Sequence, residues 1–146
     1  MFNKAMVWER IGLSALHIGT LRRIFENGIR FVKKRKSSGK SLSQYQTISH
    51  KFADLKVEIE TAGLLLKEAI AILESGKSAD LIASILKLKT SELYKRATLE
   101  MIQIYGAMGY INNNEIERMH RDAIASTLYS GTSEIQKNII AKRIGL

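Results

Sequence analysis

Between Val7 and Val32 the apolar residues return at intervals of three, four and seven: Val7, Ile11, Ala15, Ile18, Phe25, Ile29 and Val32. That spacing lays them along one side of an α-helix and along no side of a strand. It predicts one long amphipathic helix from about Asn3 to about Lys36. Proline, the residue most hostile to a helix interior, occurs nowhere in the 146 residues. An all-α fold is the expectation.

Gly39 offers a stop after this helix, and Ser41 or Ser43 can cap a second one carrying Leu42, Tyr45, Ile48, Phe52, Leu55, Ile59, Leu66, Ile70 and Leu73. Ser75-Gly76-Lys77-Ser78 ends it. A third helix begins near Ser78 with Asp80 in its first turn, where negative charge suits the helix dipole. It carries Leu81, Ile85, Leu88, Leu93, Ala97, Met101 and Ile104, and Gly106 and Gly109 break it. Asn112-Asn113-Asn114 reads as a loop, with Asn114 and Glu117 as a capping pair for a helix running toward Leu128. Ser133 is placed to cap a further stretch, Gln136 reaching back to it, with Ile135, Ile139, Ile140 and Ile144 on its apolar side. Short connections make neighbouring helices antiparallel. The expected architecture is a single domain over residues 1–146: an up-and-down four-helix bundle whose last helix is interrupted near Ser130–Ser133.

Charge and composition narrow the function. The chain carries 23 Lys and Arg against 14 Asp and Glu, a net charge of +9, which favours anionic partners. Five of the basic residues lie between Lys33 and Lys40, at a break between helices, where a phosphate-holding bend and a solvated helix end both fit. Aromatic residues are 7% of the chain and none interleaves this run, which argues against a nucleic-acid stacking platform. There is no cysteine, so disulfides, thiolate metal sites and a cysteine nucleophile are excluded. The start lacks the apolar run of a signal peptide, and no stretch approaches the roughly 20 apolar residues of a membrane span. A cytoplasmic protein is expected. His17, His50 and His120 share no helix face, and Glu115, Glu117 and His120 are explained as a capping turn, so no metal site is expected. Gly106-Ala107-Met108-Gly109 lacks the strand that a dinucleotide fold requires.

Glu9 and Arg10 stand apart. Three and four residues from Glu9 lie Ala5, Met6, Gly12 and Leu13, none of them basic, and Arg10 finds no acidic partner at the same spacings. Both charges must look outside their helix. A carboxylate among apolar neighbours is desolvated and its neutral form favoured, the tuning that suits a general base. An exposed glutamate beside an exposed arginine at the frayed start of the chain is the plainer reading. The segment Ser130-Gly131-Thr132-Ser133 interrupts an apolar periodicity on both sides and bends the backbone, exposing amide groups at a helix start that suit an anionic or carbonyl-rich ligand.

Taken together, Glu9-Arg10, Arg35-Lys36-Ser37-Ser38-Gly39-Lys40 with Gln46, Gln103 through Tyr110, Arg118 with Arg121-Asp122-Ala123, and Ser130 through Gln136 resemble the carboxy-terminal helical domain of the acyl-CoA dehydrogenases, in order and spacing. The resemblance implies an FAD-dependent oxidation of acyl thioesters to α,β-enoyl thioesters, in which a glutamate takes the α-proton. In many members that glutamate stands immediately before Gly-Thr in the late bend, where this chain has Ser130. Members of the isovaleryl and long-chain kind carry it instead in a Glu-Arg pair on the first helix of this domain, as Glu9 stands here. By the resemblance Glu9 is the base, and Arg10 and Gly131 meet the substrate. Arg35, Lys36, Ser37, Tyr45, Gln46, Gln103, Gly106 and Ala107 hold FAD bound mainly by a neighbouring subunit. Thr132, Ser133 and Glu134 meet the flavin of their own subunit.

The implied substrate is an acyl-CoA or an acyl-carrier-protein thioester; Phe2 through Arg10 and His17-Ile18-Gly19-Thr20 resemble members of the carrier-protein kind. The implied partners are further copies of the chain, as dimer or tetramer, and the two other dehydrogenase domains, in the same or a partner chain. A self-associating helical module without catalysis is the alternative expectation.

Overall fold

A computed structural model describes residues 2–112 and 114–146, with side chains described from Ala5 onward; Asn113, part of the expected loop, lies outside the described residues. Among the described residues six α-helices follow one another: α1 Phe2–Lys34, α2 Gln46–Glu74, α3 Asp80–Tyr105, α4 Ala107–Tyr110, α5 Glu115–Ser126 and α6 Ser133–Arg143. The class is all-α. No described helix is long and apolar enough to cross a membrane.

α3 is the central element, packed against α1, α2, α5 and α6. One apolar cluster gathers Leu21, Ile24 and Val32 of α1, Phe52, Leu55 and Ile59 of α2, and Leu93, Ala97 and Met101 of α3, with Ile116, Met119 and Ala123 of α5. A second, at the other end of α1, joins Val7, Ile11 and Ile18 to Ala62, Ala69, Ala79, Ala83 and Leu86. Removing these side chains from water is the main stabilising term, about 25 cal/mol per Å² buried.

The long helices stand where their periodicities put them, but their faces are not purely apolar. On α1 the expected Ala15 is exposed, whereas Arg10, Ser14 and His17 are buried beside Val7, Ile11 and Ile18. On α3 the buried face runs Ala83, Leu86 and Lys87, Thr90, Tyr94, Ala97 and Met101, so Leu81, Ile85 and Leu88 are only partly covered. α6 departs furthest. Its isoleucines were the expected contacts, yet Ile135 and Ile144 are exposed and the helix buries Ser133 and Gln136 instead. Polar residues with fixed partners displace apolar ones at these seams.

The basic break is more ordered than a helix stop. α1 ends two residues early, at Lys34, and Lys36–Ser37 (β1) pairs antiparallel with Lys40–Ser41 (β2) around Ser38 at φ 47 and Gly39 at φ 83. Ser41 then caps a 3₁₀ turn, Leu42–Gln44, whose Gln44 side chain accepts from the Ser41 N–H at 3.0 Å. α2 therefore starts later than either serine cap implied, at Gln46. Asn114 caps α5 as expected, its side chain accepting from the Ile116 N–H at 3.0 Å, while the Glu117 carboxylate turns instead to Arg121 at 2.7 Å.

Candidate functional site: a clamped bend against the first helix

α5 ends at Ser126 and α6 starts at Ser133, so the interruption is wider than the four residues expected. Inside it Ser130 and Gly131 both take positive φ, 56° and 93°. For a residue with a side chain that conformation is strained by roughly 1–3 kcal/mol unless its surroundings impose it. At Gly131 there is also no space: an added Cβ would lie 2.7 Å from Gln136 Nε2 and 3.2 Å from Ile135 Cγ2.

The surroundings impose the bend through its carbonyl groups. The Ser130 oxygen accepts from Arg10 Nε at 3.2 Å and from Gln136 Nε2 at 3.1 Å. The Gly131 oxygen accepts from Lys87 Nζ at 2.8 Å and from Gln136 Nε2 at 3.0 Å. All three donors are buried, Lys87 and Gln136 completely. Thr132, rather than the expected Ser133, caps α6, its hydroxyl accepting from the Ile135 N–H at 3.4 Å. Ser133 is buried and otherwise engaged, its hydroxyl donating to Glu92 at 2.6 Å and its N–H to the Thr127 carbonyl at 3.1 Å. Gln136 does not reach back to Ser133 because the positive φ values turn the Ser130 and Gly131 carbonyls into its path.

On the outer side of the bend the Ser130 hydroxyl donates to Glu9 Oε1 at 2.5 Å, joining residues 121 positions apart. Glu9 thus lies against the late bend. It is exposed, so the desolvation expected from its apolar sequence neighbours is not supplied by this domain. Arg10, one position on, points the other way and is 7% exposed. Burial pulls its guanidinium below the usual arginine range, opposed by Asp80 and then by Glu9.

Beneath the bend runs a polar seam that the sequence analysis did not single out. His17 Nε2 and the Tyr129 hydroxyl share a hydrogen bond at 2.8 Å, and the other ring nitrogen faces the Thr90 hydroxyl at 3.5 Å. Thr90 donates to Ser14 at 3.1 Å, and Ser14 to the Arg10 carbonyl at 2.7 Å. Burial, reinforced by the Lys87 charge, pushes the His17 imidazolium pKa down to about 4. Burial also lowers the Lys87 ammonium, with Arg10 adding to the effect and Glu92 and Glu134 opposing it. The available signal was periodicity: Lys87 and Thr90 share a helix face with Ala83 and Tyr94, at spacings of three and four.

The remaining candidate residues gather at the far end of α1. The Tyr45 hydroxyl donates to the Ser37 carbonyl at 2.8 Å, and Lys40 Nζ sits 4.1 Å from the Tyr45 ring centroid. Arg35 lines a groove of about 430 Å³ with Arg30, Phe31, Lys34 and Met108. Phe31 of α1 stacks on Tyr105 at 4.2 Å, next to the break at Gly106, φ 63°. Arg35, Lys36, Gln46, Gln103, Gly106 and Ala107 are all exposed around it. From Glu9 to Lys34 the helix rises about 37 Å, at about 1.5 Å per residue. Thr132, Ser133 and Glu134 thus lie toward the amino end of α1, and the hairpin residues at its carboxy end.

Comparison with known proteins places this geometry. The family model described as "Acyl-CoA dehydrogenase, C-terminal domain" matches residues 1–145. L-prolyl-[peptidyl-carrier protein] dehydrogenase from Pseudomonas fluorescens is 34% identical over 146 residues, all of this chain and 38% of that protein. Among solved structures, the prolyl acyl carrier protein oxidase AnaB superposes with a TM-score of 0.96 at 41% identity, over 99% of this chain and 38% of AnaB. The FAD complex of PigA does so at 0.95 and 34%, over 99% and 38%. The chain thus spans less than two-fifths of the length of each of these relatives. From its first residue to the end of α6, the chain belongs to the acyl-CoA dehydrogenase family, as that family's carboxy-terminal helical domain.

Proposed function

We propose that this domain supplies the proton-abstracting base and part of the flavin site of an FAD-dependent acyl-thioester dehydrogenase. The observation that carries the reading is the contact between Glu9 and Ser130 at 2.5 Å. It brings a carboxylate from the first helix onto the bend, beside the position from which many family members extend theirs. Glu9 Oε1 is held by the Ser130 hydroxyl, which leaves Oε2 to accept the α-proton of a thioester laid across the bend. With that proton on Glu9, the α-carbon electron pair forms the α,β double bond as hydride leaves the β-carbon. FAD, when bound, supplies the acceptor for that hydride. Enclosure by the remaining dehydrogenase domains would exclude water and supply the desolvation that exposed Glu9 lacks here.

The residues present fit FAD. Thr132 and Glu134 face outward from the clamped bend. The Glu134 carboxyl is held below its usual range by its own backbone N–H and then by the Thr132 hydroxyl. Ser133, fixed on Glu92, sets their position rather than presenting its own side chain. At the other end, the exposed hairpin of Arg35, Lys36 and Ser37, with Tyr45, Gln46, Gln103, Gly106 and Ala107, presents positive charge and open backbone suited to a pyrophosphate and an adenosine. The two groups, at opposite ends of α1, are assigned to two different flavins, one in the same subunit and one in a neighbour, as the family resemblance implies. A homo-oligomer follows from that reading. Val57 and Leu64, exposed and seven residues apart on α2, give it an apolar contact face.

The substrate class within this reading is a thioester on a carrier protein, supported by the 34% identity to the prolyl-carrier-protein dehydrogenase and by the +9 charge, which suits an acidic carrier. A cytoplasmic location accompanies it, as the cysteine-free sequence suits a reducing compartment. The test is to take the domain together with the family's two other domains, load FAD and replace Glu9 with Gln. Dehydrogenation should fall by about 10²–10⁴-fold, the usual contribution of a positioned base. An undiminished rate would remove Glu9 from the mechanism.

A further inference from the structure

Among the described residues Lys87, on α3, is the largest fully buried side chain, and none of their carboxylates lies within salt-bridge distance of it. Burying an ammonium group costs several kcal/mol, and a methionine or leucine would fill the same volume at no such cost. What the lysine gains is the Gly131 carbonyl, 44 residues away, at 2.8 Å. That carbonyl belongs to the segment with the least favourable backbone in the site, Ser130 at φ 56° followed by Gly131 at φ 93°.

The consequence of the contact lies on the opposite side of the chain. In a trans peptide the C=O and N–H point in opposite directions, and no cis bond occurs among the described residues. With the Ser130 and Gly131 oxygens turned inward onto Arg10, Gln136 and Lys87, the N–H groups of Gly131 and Thr132 must point outward, to the side where Ser130 meets Glu9. Neither amide donates to a protein acceptor among the described residues. Two adjacent free donors beside a carboxylate form a cradle for a carbonyl oxygen or another anionic acceptor.

We propose that Lys87 is a positioning residue. By holding the Gly131 carbonyl in the core, it turns the Gly131 and Thr132 amides toward the ligand and keeps Ser130 in the left-handed conformation from which its hydroxyl reaches Glu9. The inference rests on the proposed role of the bend as the ligand-facing surface. Its test reads local conformation rather than turnover, and so it stands or falls separately from the role of Glu9 as base.

The experiment is solution NMR on the chain as it exists, comparing wild type with Lys87→Met and Lys87→Arg. In wild type, the Lys87 Nζ protons should be protected from exchange and show a through-hydrogen-bond correlation to the Gly131 carbonyl carbon. In Lys87→Met the shifts of α1 to α3 should persist, while the Ser130 ³J(HN–Hα) coupling leaves its left-handed value and the Gly131 carbonyl signal moves. Lys87→Arg, which keeps a buried donor, should restore most of both. A folded Lys87→Met variant with the wild-type Ser130 coupling and Gly131 carbonyl shift would overturn the proposal. Where the methionine variant does not fold, the wild-type correlation decides: its absence, with rapidly exchanging Nζ protons, would overturn the proposal equally.

Discussion

The two ends of α1 carry the two halves of the candidate site and hold them in opposite ways. At the amino end, Glu9 and Arg10 meet a bend more than a hundred residues further along the chain, and the contacts run through buried donors: Arg10, Lys87 and Gln136 on two successive carbonyls. At the carboxy end the hairpin is built almost wholly from its own neighbours, with Tyr45 on Ser37, Lys40 over Tyr45 and Gln44 on Ser41, and it stays exposed. The first arrangement fixes atoms, as the proposed proton transfer requires. The second presents charge and leaves the backbone open, which is enough for holding a phosphate-bearing group.

The comparison breaks most visibly with pH. His17 lies under the bend with its pKa depressed to about 4, below the unfolded value near 6.5, so the native state resists taking up the proton. The contribution of neutral His17 to stability is fully present above about pH 6.5 and is lost as pH falls from there through 4. The loss amounts to up to about 3 kcal/mol. Urea unfolding of wild type and His17→Gln across that window should show a steeper decline in wild type. Parallel curves would mean that the seam under the bend is not a protected core.

At the hairpin the expected effect on stability is the smallest. Arg35→Ala removes an exposed side chain, so the unfolding free energy should change by no more than about 0.5 kcal/mol. In the FAD-loaded, complete enzyme the same substitution should weaken FAD binding by about tenfold, the loss of one charge-assisted contact. A large stability loss with unchanged FAD affinity would reverse the contrast between the two ends.

The sequence disclosed the helices more readily than their faces. Long apolar spacings marked α1, α2 and α3, and Asn114 marked the start of α5, because those signals are local. The face of α3 was misjudged because Lys87 and Thr90 occupy positions that the apolar count treats as surface, and only their distant partners, Gly131 and Ser14, make burial tolerable. The cap of α6 was displaced by one residue for the same reason: Glu92, on another helix, holds the Ser133 hydroxyl. Glu9 was legible as a carboxylate lacking helix partners, and its contact with Ser130 accords with that. Its exposure was not legible, since the apolar sequence neighbours that suggested burial do not enclose it. The hairpin at Lys36–Ser41 escaped because a four-residue ladder has no periodicity to detect.

The claim on which the rest turns is that Glu9 and position 130 share one small space in front of the bend. The most direct measurement compares thioester dehydrogenation by the FAD-loaded, complete enzyme carrying Glu9→Gly alone with the same enzyme carrying Ser130→Glu in addition. The account predicts that the single variant is slowed by about 10²–10⁴-fold and that the second substitution restores much of the lost rate, by placing a carboxylate where Oε1 of Glu9 stood, 2.5 Å from the Ser130 hydroxyl. A double variant no faster than Glu9→Gly alone would contradict it.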